Sequence, residues 1–278
     1  MCRWLAYTGG EIPLSELIFN TRHSLIDQSL HSRQGMEATN GDGFGVGWYT
    51  DLELPGMYKS VQPAWNDSNL HDLCDHVSSG LFMAHIRAST GTPVQYTNCH
   101  PFRYGKWLFV HNGALREHHR LRRSLLRELD DRYFDQIAGL TDSELMFMLT
   151  LQFGLDTDPR LAVERMVGLL EAVAAEAGVE QPLQMTLGIA DGEKLYAARY
   201  SSEGDSRSLY ISGHLDAIRE QLEPGRHHVA EHMGPDARCV VSEPLLDLAG
   251  FWEPVPESSF LTVANGEVRW EELHPALP

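Results

Sequence analysis

The second residue, Cys2 of "MCRW", places a thiol directly behind the initiator methionine. A cysteine attacks as thiolate, so it needs a nearby base or a depressed pKa. With Met1 removed, Cys2 would carry both the thiol and the free α-amine, a group that titrates near about 8 and is partly neutral and basic at physiological pH. With Met1 retained, Cys2 is a small residue near a chain end, of the kind that is usually buried. "HNG" (111–113) offers the Asn112 side-chain amide and the Gly113 backbone N–H as donors to a developing oxyanion, although Asn-Gly also makes ordinary turns. Arg87 ends the apolar run of "AHIRAST", where a guanidinium can grip a carboxylate through two parallel bonds or join a structural ion pair. Asp142 falls in the first turn of an expected helix, able to accept from an ammonium or simply to complement the helix dipole.

Each feature is ordinary alone, but one substrate class would use all of them. A γ-glutamyl amide such as glutamine presents an α-carboxylate for Arg87, an α-ammonium for Asp142, a γ-carbonyl for Cys2 and an oxyanion for Asn112 and Gly113. Other clusters offer less. His228 and His232 stand four apart, as two imidazoles on one helix face would, but no third ligand has a metal-site spacing, and the pair is expected to be solvated. His85, His100 and His111 invite a Cys-His dyad, yet none is required if the α-amine is the base; they are expected to shape a pocket by hydrogen bonding. Cys99 is expected to be a small buried residue.

The elements that must position these residues are strands, then helices, then strands. Residues 2–8, 43–50, 81–88 and 106–113 are short apolar or β-branched runs ending in polar, turn-forming residues, and "NGDG" (40–43) suggests a tight turn. Leu121, Leu125, Leu126 and Leu129 recur at helical spacing, and residues 141–154 open with a T-x-x-E capping pattern on Thr141 and Glu144. Arg160 to Ala177 is a third helical stretch. After Pro182, hairpin signals occur at Asp191-Gly192 and Asn265-Gly266. This order suggests two sheets covered by helices in one layered α/β domain over 1–278, with the chemistry in 2–155 and a less informative half in 156–278.

The totals narrow the field. The 278 residues carry 22 Lys plus Arg against 39 Asp plus Glu, a formal charge of −17 that disfavours nucleic acid and anionic membrane surfaces. Cys2, Cys74, Cys99 and Cys239 have no paired or metal-ligand spacing and are expected to be reduced. No signal-peptide pattern or bilayer-length apolar run is present, so a cytoplasmic protein is expected.

The ordered motifs "MC", "NGDGFGVGW", "HIRAST", "NCHPF", "HNG" and "TDSE" resemble the class II glutamine amidotransferases of the N-terminal-nucleophile hydrolase superfamily. The resemblance implies a four-layer αββα sandwich, Cys2 as nucleophile after loss of Met1, Asn112 and Gly113 as the oxyanion hole, and Arg87, Thr90 and Asp142 as holders of the glutamyl moiety. It implies no metal or cofactor, and a small-molecule γ-glutamyl substrate. Where synthase-coupled members read "RWATHG", this chain reads "RASTGT", with Ala88 and Gly91 in place of the Trp and His. The "MCR" start, "HSL" at 23–25 and the W-L-F-x-H-N-G run are closer to stand-alone members, such as the ergothioneine-pathway γ-glutamyl hydrolase and the glutathione-degrading subunit of yeast-type complexes. The expected activity is hydrolysis of a γ-glutamyl amide through a thioester. The alternatives are an ammonia-supplying subunit acting with a separate synthase and a non-catalytic glutamine-binding subunit.

Overall fold

The computed structural model describes residues 2–31, 39–89, 91–214 and 233–278. In chain order they form β1 (Arg3–Pro13), α1 (Ser15–Ile18), α2 (Leu25–Leu30), β2 (Phe44–Trp48), β3 (Gly56–Ser60), α3 (Ser68–His76), β4 (Ser78–Ile86), β5 (Phe102–Tyr104) and β6 (Trp107–Leu115). There follow α4 (His118–Arg127), α5 (Asp131–Phe134), α6 (Asp142–Gln152), α7 (Pro159–Glu176), β7 (Leu183–Ala190), β8 (Leu195–Ser201), β9 (Tyr210–Ser212), β10 (Arg238–Val241), β11 (Trp252–Pro254), β12 (Ser259–Ala264) and β13 (Glu267–Glu272). The strands make two antiparallel sheets, in the orders β11-β9-β10-β1-β4-β2-β3 and β13-β12-β8-β7-β6-β5. Strands after residue 182 therefore complete both sheets.

Side chains alternate between the faces of a strand, and here both faces are apolar. Along β1, Trp4 and Ala6 enter a core between the sheets, while Leu5 and Tyr7 enter the core beneath α1, α2 and α3. On β4, Leu81 and Met83 face the other sheet, and Phe82, Ala84 and Ile86 face the helices. Along β6, Leu108 and Val110 face inward, and Trp107 and Phe109 pack beneath α4 to α7. Three cores separated by two sheets give four layers, αββα. A β-carbon at Gly188 would lie within 2.9 Å of side-chain atoms of Met83, Trp4 and Val110, so the sheets meet too closely there for any side chain.

The expected helices are present with small shifts. α6 is buried at every residue from Ser143 to Leu151, which explains its apolar character all round. Thr141 caps it, its hydroxyl accepting from Glu144 N at 3.2 Å. The reciprocal half of that capping box differs from expectation: the Glu144 carboxylate accepts instead from Ala138 N and Gly139 N, pinning the incoming loop. Asp158 caps α7, and both hairpin signals fall between paired strands, β7–β8 and β12–β13. The 40–43 segment is not the tight turn its composition suggests. Its backbone continues toward the end of β4, with Asp42 N donating to Arg87 O and Arg87 N to Gly43 O.

Candidate active site

The alternation that builds the inner core also aims the polar residues at its end. Cys2, one residue before β1, continues the Trp4/Ala6 side of that strand. His85 and Arg87 continue the Leu81/Met83 side of β4, and Asn112 the Leu108/Val110 side of β6. The β1–β4 ladder sets Arg3 opposite Ile86 and Trp4 opposite His85, which carries Cys2 to the stretch just past β4. There Cys2 Sγ lies 3.4 Å from both the N and the O of Ala88, the residue next to Arg87. Burial pushes the Cys2 thiol upward, and the Ala88 backbone hydrogen bond pulls the other way. The net shift is upward, so the thiol needs a base.

Burial works against an imidazole base here. His85, His100 and His111 are all buried, and burial lowers each: His85 to about 3, His100 well below the usual histidine value, and His111 in the same direction. At His85 and His100 an imidazole so depressed is neutral at physiological pH and accepts protons weakly. The expected hydrogen bonding holds for two of them. His85 Nε2 donates to His111 O at 3.2 Å, and His111 Nδ1 pairs with Ser143 Oγ at 2.8 Å. His100 departs from it, since neither ring nitrogen has a hydrogen-bond partner among the described residues; it is held by stacking on His85 and edge contact with Phe102.

The Arg87 side chain is 3% exposed, its guanidinium 2.6 Å from Thr92 Oγ1, 3.1 Å from Ser89 Oγ and 3.3 Å from Asp42 O. Among the described residues it makes no ion pair, and the nearby Asp42 carboxylate instead accepts from Ser89 N. A buried cation surrounded by neutral acceptors favours an incoming anion. Asn112 is buried on β6 opposite Thr186 of β7. A β-carbon at Gly113 would fall 1.9 Å from Gln184 O, so only glycine lets β7 approach at this point. Asp142 sits at the start of α6 beside the end of β6: Oδ2 accepts from Leu115 N and Oδ1 from Ser143 N, each at 2.8 Å. Cys2, Arg87, Asn112, Gly113 and Asp142 thus converge on strand ends at one end of the sandwich. Met1, Thr90, His228 and His232 lie outside the described residues. All four cysteines are unpaired, and among the described residues no group of three or more His, Cys, Asp or Glu could hold a metal ion.

Sequence reasoning missed a buried network behind Cys2. Arg3 Nε donates to Glu243 Oε1 at 2.8 Å, His23 Nε2 lies 3.0 Å from Glu243 Oε2, and His23 Nδ1 lies 2.7 Å from Asp27. Arg3 also donates to the Cys2 carbonyl at 2.9 Å, so the network holds the backbone of the thiol-bearing residue. Its signal was a charged residue at a buried strand position, but the partner is 240 residues away. Arg3 and Glu243 are each 1% exposed, and breaking such a pair costs about 3–5 kcal/mol. Glu243→Ala is expected to lose stability of that order in urea unfolding, and a loss below about 1 kcal/mol would refute the structural role.

Comparison with known proteins identifies the family. The family model described as "Glutamine amidotransferases class-II" matches residues 17–275. The chain belongs to the class II glutamine amidotransferases. The match includes Arg87, Asn112, Gly113 and Asp142 but begins after Cys2. A comparison with the probable glutamine amidotransferase DUG3 of Saccharomyces cerevisiae covers all of this chain and 85% of the relative, at 35% identity. The γ-glutamyl-hercynylcysteine sulfoxide hydrolase of Mycolicibacterium smegmatis is 26% identical over 96% of this amidotransferase and 98% of its own length. Among solved structures, a glutamine aminotransferase class-II domain protein from Silicibacter pomeroyi superposes with a TM-score of 0.71 at 29% identity, over 98% of this chain and 100% of that one. The glutamine phosphoribosylpyrophosphate amidotransferase of Bacillus subtilis shares the fold, with a TM-score of 0.66 at 17% identity, over 99% of this chain and 50% of that one. Membership makes the protein an enzyme acting on C–N bonds, in a class that hydrolyses the glutamine amide. No helix among the described residues is long and apolar enough to cross a membrane.

Proposed function

We propose that this amidotransferase hydrolyses a small γ-glutamyl amide through a Cys2 thioester once Met1 is removed. The observation that carries the reading is the seat of the Cys2 sulfur on Ala88, next to the buried Arg87 cation. In a γ-glutamyl compound the α-carbon and the γ-carbonyl are separated by two methylenes, so a carboxylate held by Arg87 puts the carbonyl within reach of a thiol on the neighbouring residue. Thr90 and Asp142 would complete the grip, with Asp142 accepting from the α-ammonium.

In the first half-reaction the Cys2 α-amine, through a water, takes the thiol proton, and the thiolate adds to the γ-carbonyl. Asn112 and the Gly113 N–H stabilise the tetrahedral oxyanion. The ammonium so formed returns its proton to the departing nitrogen, the C–N bond breaks, and a thioester remains. In the second, the same amine takes a proton from water, hydroxide adds to the thioester, and glutamate leaves with the thiol restored. Burial, which lowers the basicity of all three histidines, supports the amine as base. Ala88 and Gly91, in place of the Trp and His of synthase-coupled members, support hydrolysis rather than delivery of ammonia, as does the hydrolase name of the mycobacterial relative.

The test is glutamate release. Protein shown by mass spectrometry to begin at Cys2 is incubated with glutamine and a panel of γ-glutamyl peptides and amines. Turnover of at least one is expected; none from the processed chain overturns the reading.

A further inference from the structure

The proposed reaction needs the thiol and the oxyanion donors in fixed relation, yet they stand on different sheets. Cys2 precedes β1 in one, and Asn112 and Gly113 belong to β6 in the other. Between the sheets lies a core of Trp4, Ala6, Met83, Leu108, Val110 and their neighbours. Apolar burial is non-directional and tolerates small sliding of one layer over another, whereas a hydrogen bond is lost within a fraction of an ångström.

Hydrogen bonds cross between the sheets beside the site at two places: His85 Nε2 of β4 donates to His111 O of β6, and a longer chain runs through Thr186. Trp4 Nε1 donates to Thr186 Oγ1 at 3.1 Å, and Thr186 Oγ1 donates onward to Asn112 O at 3.3 Å. Trp4 and Thr186 are 0% exposed. The ends are anchored to the functional residues: Trp4 is two residues from Cys2, and Asn112 is itself the proposed oxyanion donor. Trp4 is also fixed within its own sheet, with its N donating to Ser242 Oγ and its O accepting from Ser242 N. Thr186 reaches both partners because it is the cross-strand neighbour of Asn112 and shares the inward face of β7 with Gly188, where a β-carbon would collide with Trp4 and Met83 of the other sheet.

We infer that the Thr186 hydroxyl is a positioning clasp, taking the Trp4 indole proton and giving its own to the Asn112 carbonyl so that nucleophile and oxyanion hole stay in register. The inference rests on the proposed roles of Cys2 and Asn112. The hydroxyl touches no substrate and exchanges no proton with it. Its loss should therefore spare ground-state binding and the thiol itself, and lower the rate of the step that needs both groups at once.

The test compares wild type, Thr186→Val and Thr186→Ser, all processed to Cys2. Valine keeps the shape and removes the hydroxyl, while serine keeps the hydroxyl. For Thr186→Val we expect kcat down about 10- to 100-fold, KM within about twofold, and an unchanged rate of Cys2 alkylation by iodoacetamide. Thr186→Ser should restore most of kcat. Should the valine variant not fold, Trp4→Phe removes the indole donor from the other end and is expected to lower kcat in the same way. Wild-type kcat in Thr186→Val or in a folded Trp4→Phe, or a serine variant no better than valine, overturns the clasp alone. A wild-type chain that releases no glutamate overturns the proposed function and the clasp with it.

Discussion

Conversion of Cys2 to Ser or Ala is expected to abolish glutamate release while leaving the fold intact. The side chain is small and half-buried, and its sulfur hydrogen-bonds to the Ala88 backbone, so either replacement removes few atoms from the packing. Chemically the change is decisive. An amine titrating near about 8 can deprotonate a thiol, which ionises near about 8.5 when exposed, but a hydroxyl is a far weaker acid, and alanine has no nucleophile at all. Because burial pushes the Cys2 thiol upward, the reaction should also depend on the amine being neutral, with kcat/KM rising as pH is raised through the amine's range. Acetylating the N-terminus, or retaining Met1, should remove that rise together with the activity. Turnover by Cys2→Ala, or wild-type rates from the blocked chain, would refute the mechanism.

Asn112→Ala should lower kcat by about 100-fold or more. Removal of one oxyanion donor elsewhere costs about 3 kcal/mol. The donated bond strengthens only as the carbonyl becomes an oxyanion, so the loss should fall on kcat and leave KM close to wild type. Truncation keeps the strand, because β6 pairs with β7 through its backbone and the clasp from Thr186 binds the Asn112 carbonyl rather than its side chain. Circular dichroism should be unchanged. A kcat within about threefold of wild type would remove Asn112 from the oxyanion hole.

Much of this architecture was legible in the sequence where the signal is local. The runs at 81–88 and 106–113 overlap β4 (Ser78–Ile86) and β6 (Trp107–Leu115) to within three residues at each end, because an apolar stretch stopped by polar residues is a local property of a buried strand. Thr141 as a cap and the hairpins at Asp191-Gly192 and Asn265-Gly266 follow from backbone preferences within a few residues. The short helices α1 and α2 have too few turns to show a period, and β9 and β11, three residues each, too few to show alternation. The Glu144 carboxylate shows a local rule losing to its surroundings, since two loop N–H groups of Ala138 and Gly139 were better donors than the cap residue.

The same division runs through the site. The identity of the proposed reactive groups lies in the sequence by itself: a thiol at residue 2, an Asn-Gly pair at a strand end, and an arginine closing an apolar run, because nucleophilicity and hydrogen-bonding capacity belong to residue types. Sequence alone also carried the short apolar strands that end in these polar groups. Only the tertiary structure decided that burial lowers the basicity of the three histidines, that Arg87 is surrounded by neutral acceptors, and that Trp4, Thr186 and Asn112 form one line across two sheets. Those outcomes depend on burial and on partners up to 182 residues apart, and neither leaves a periodic or neighbouring trace in the chain.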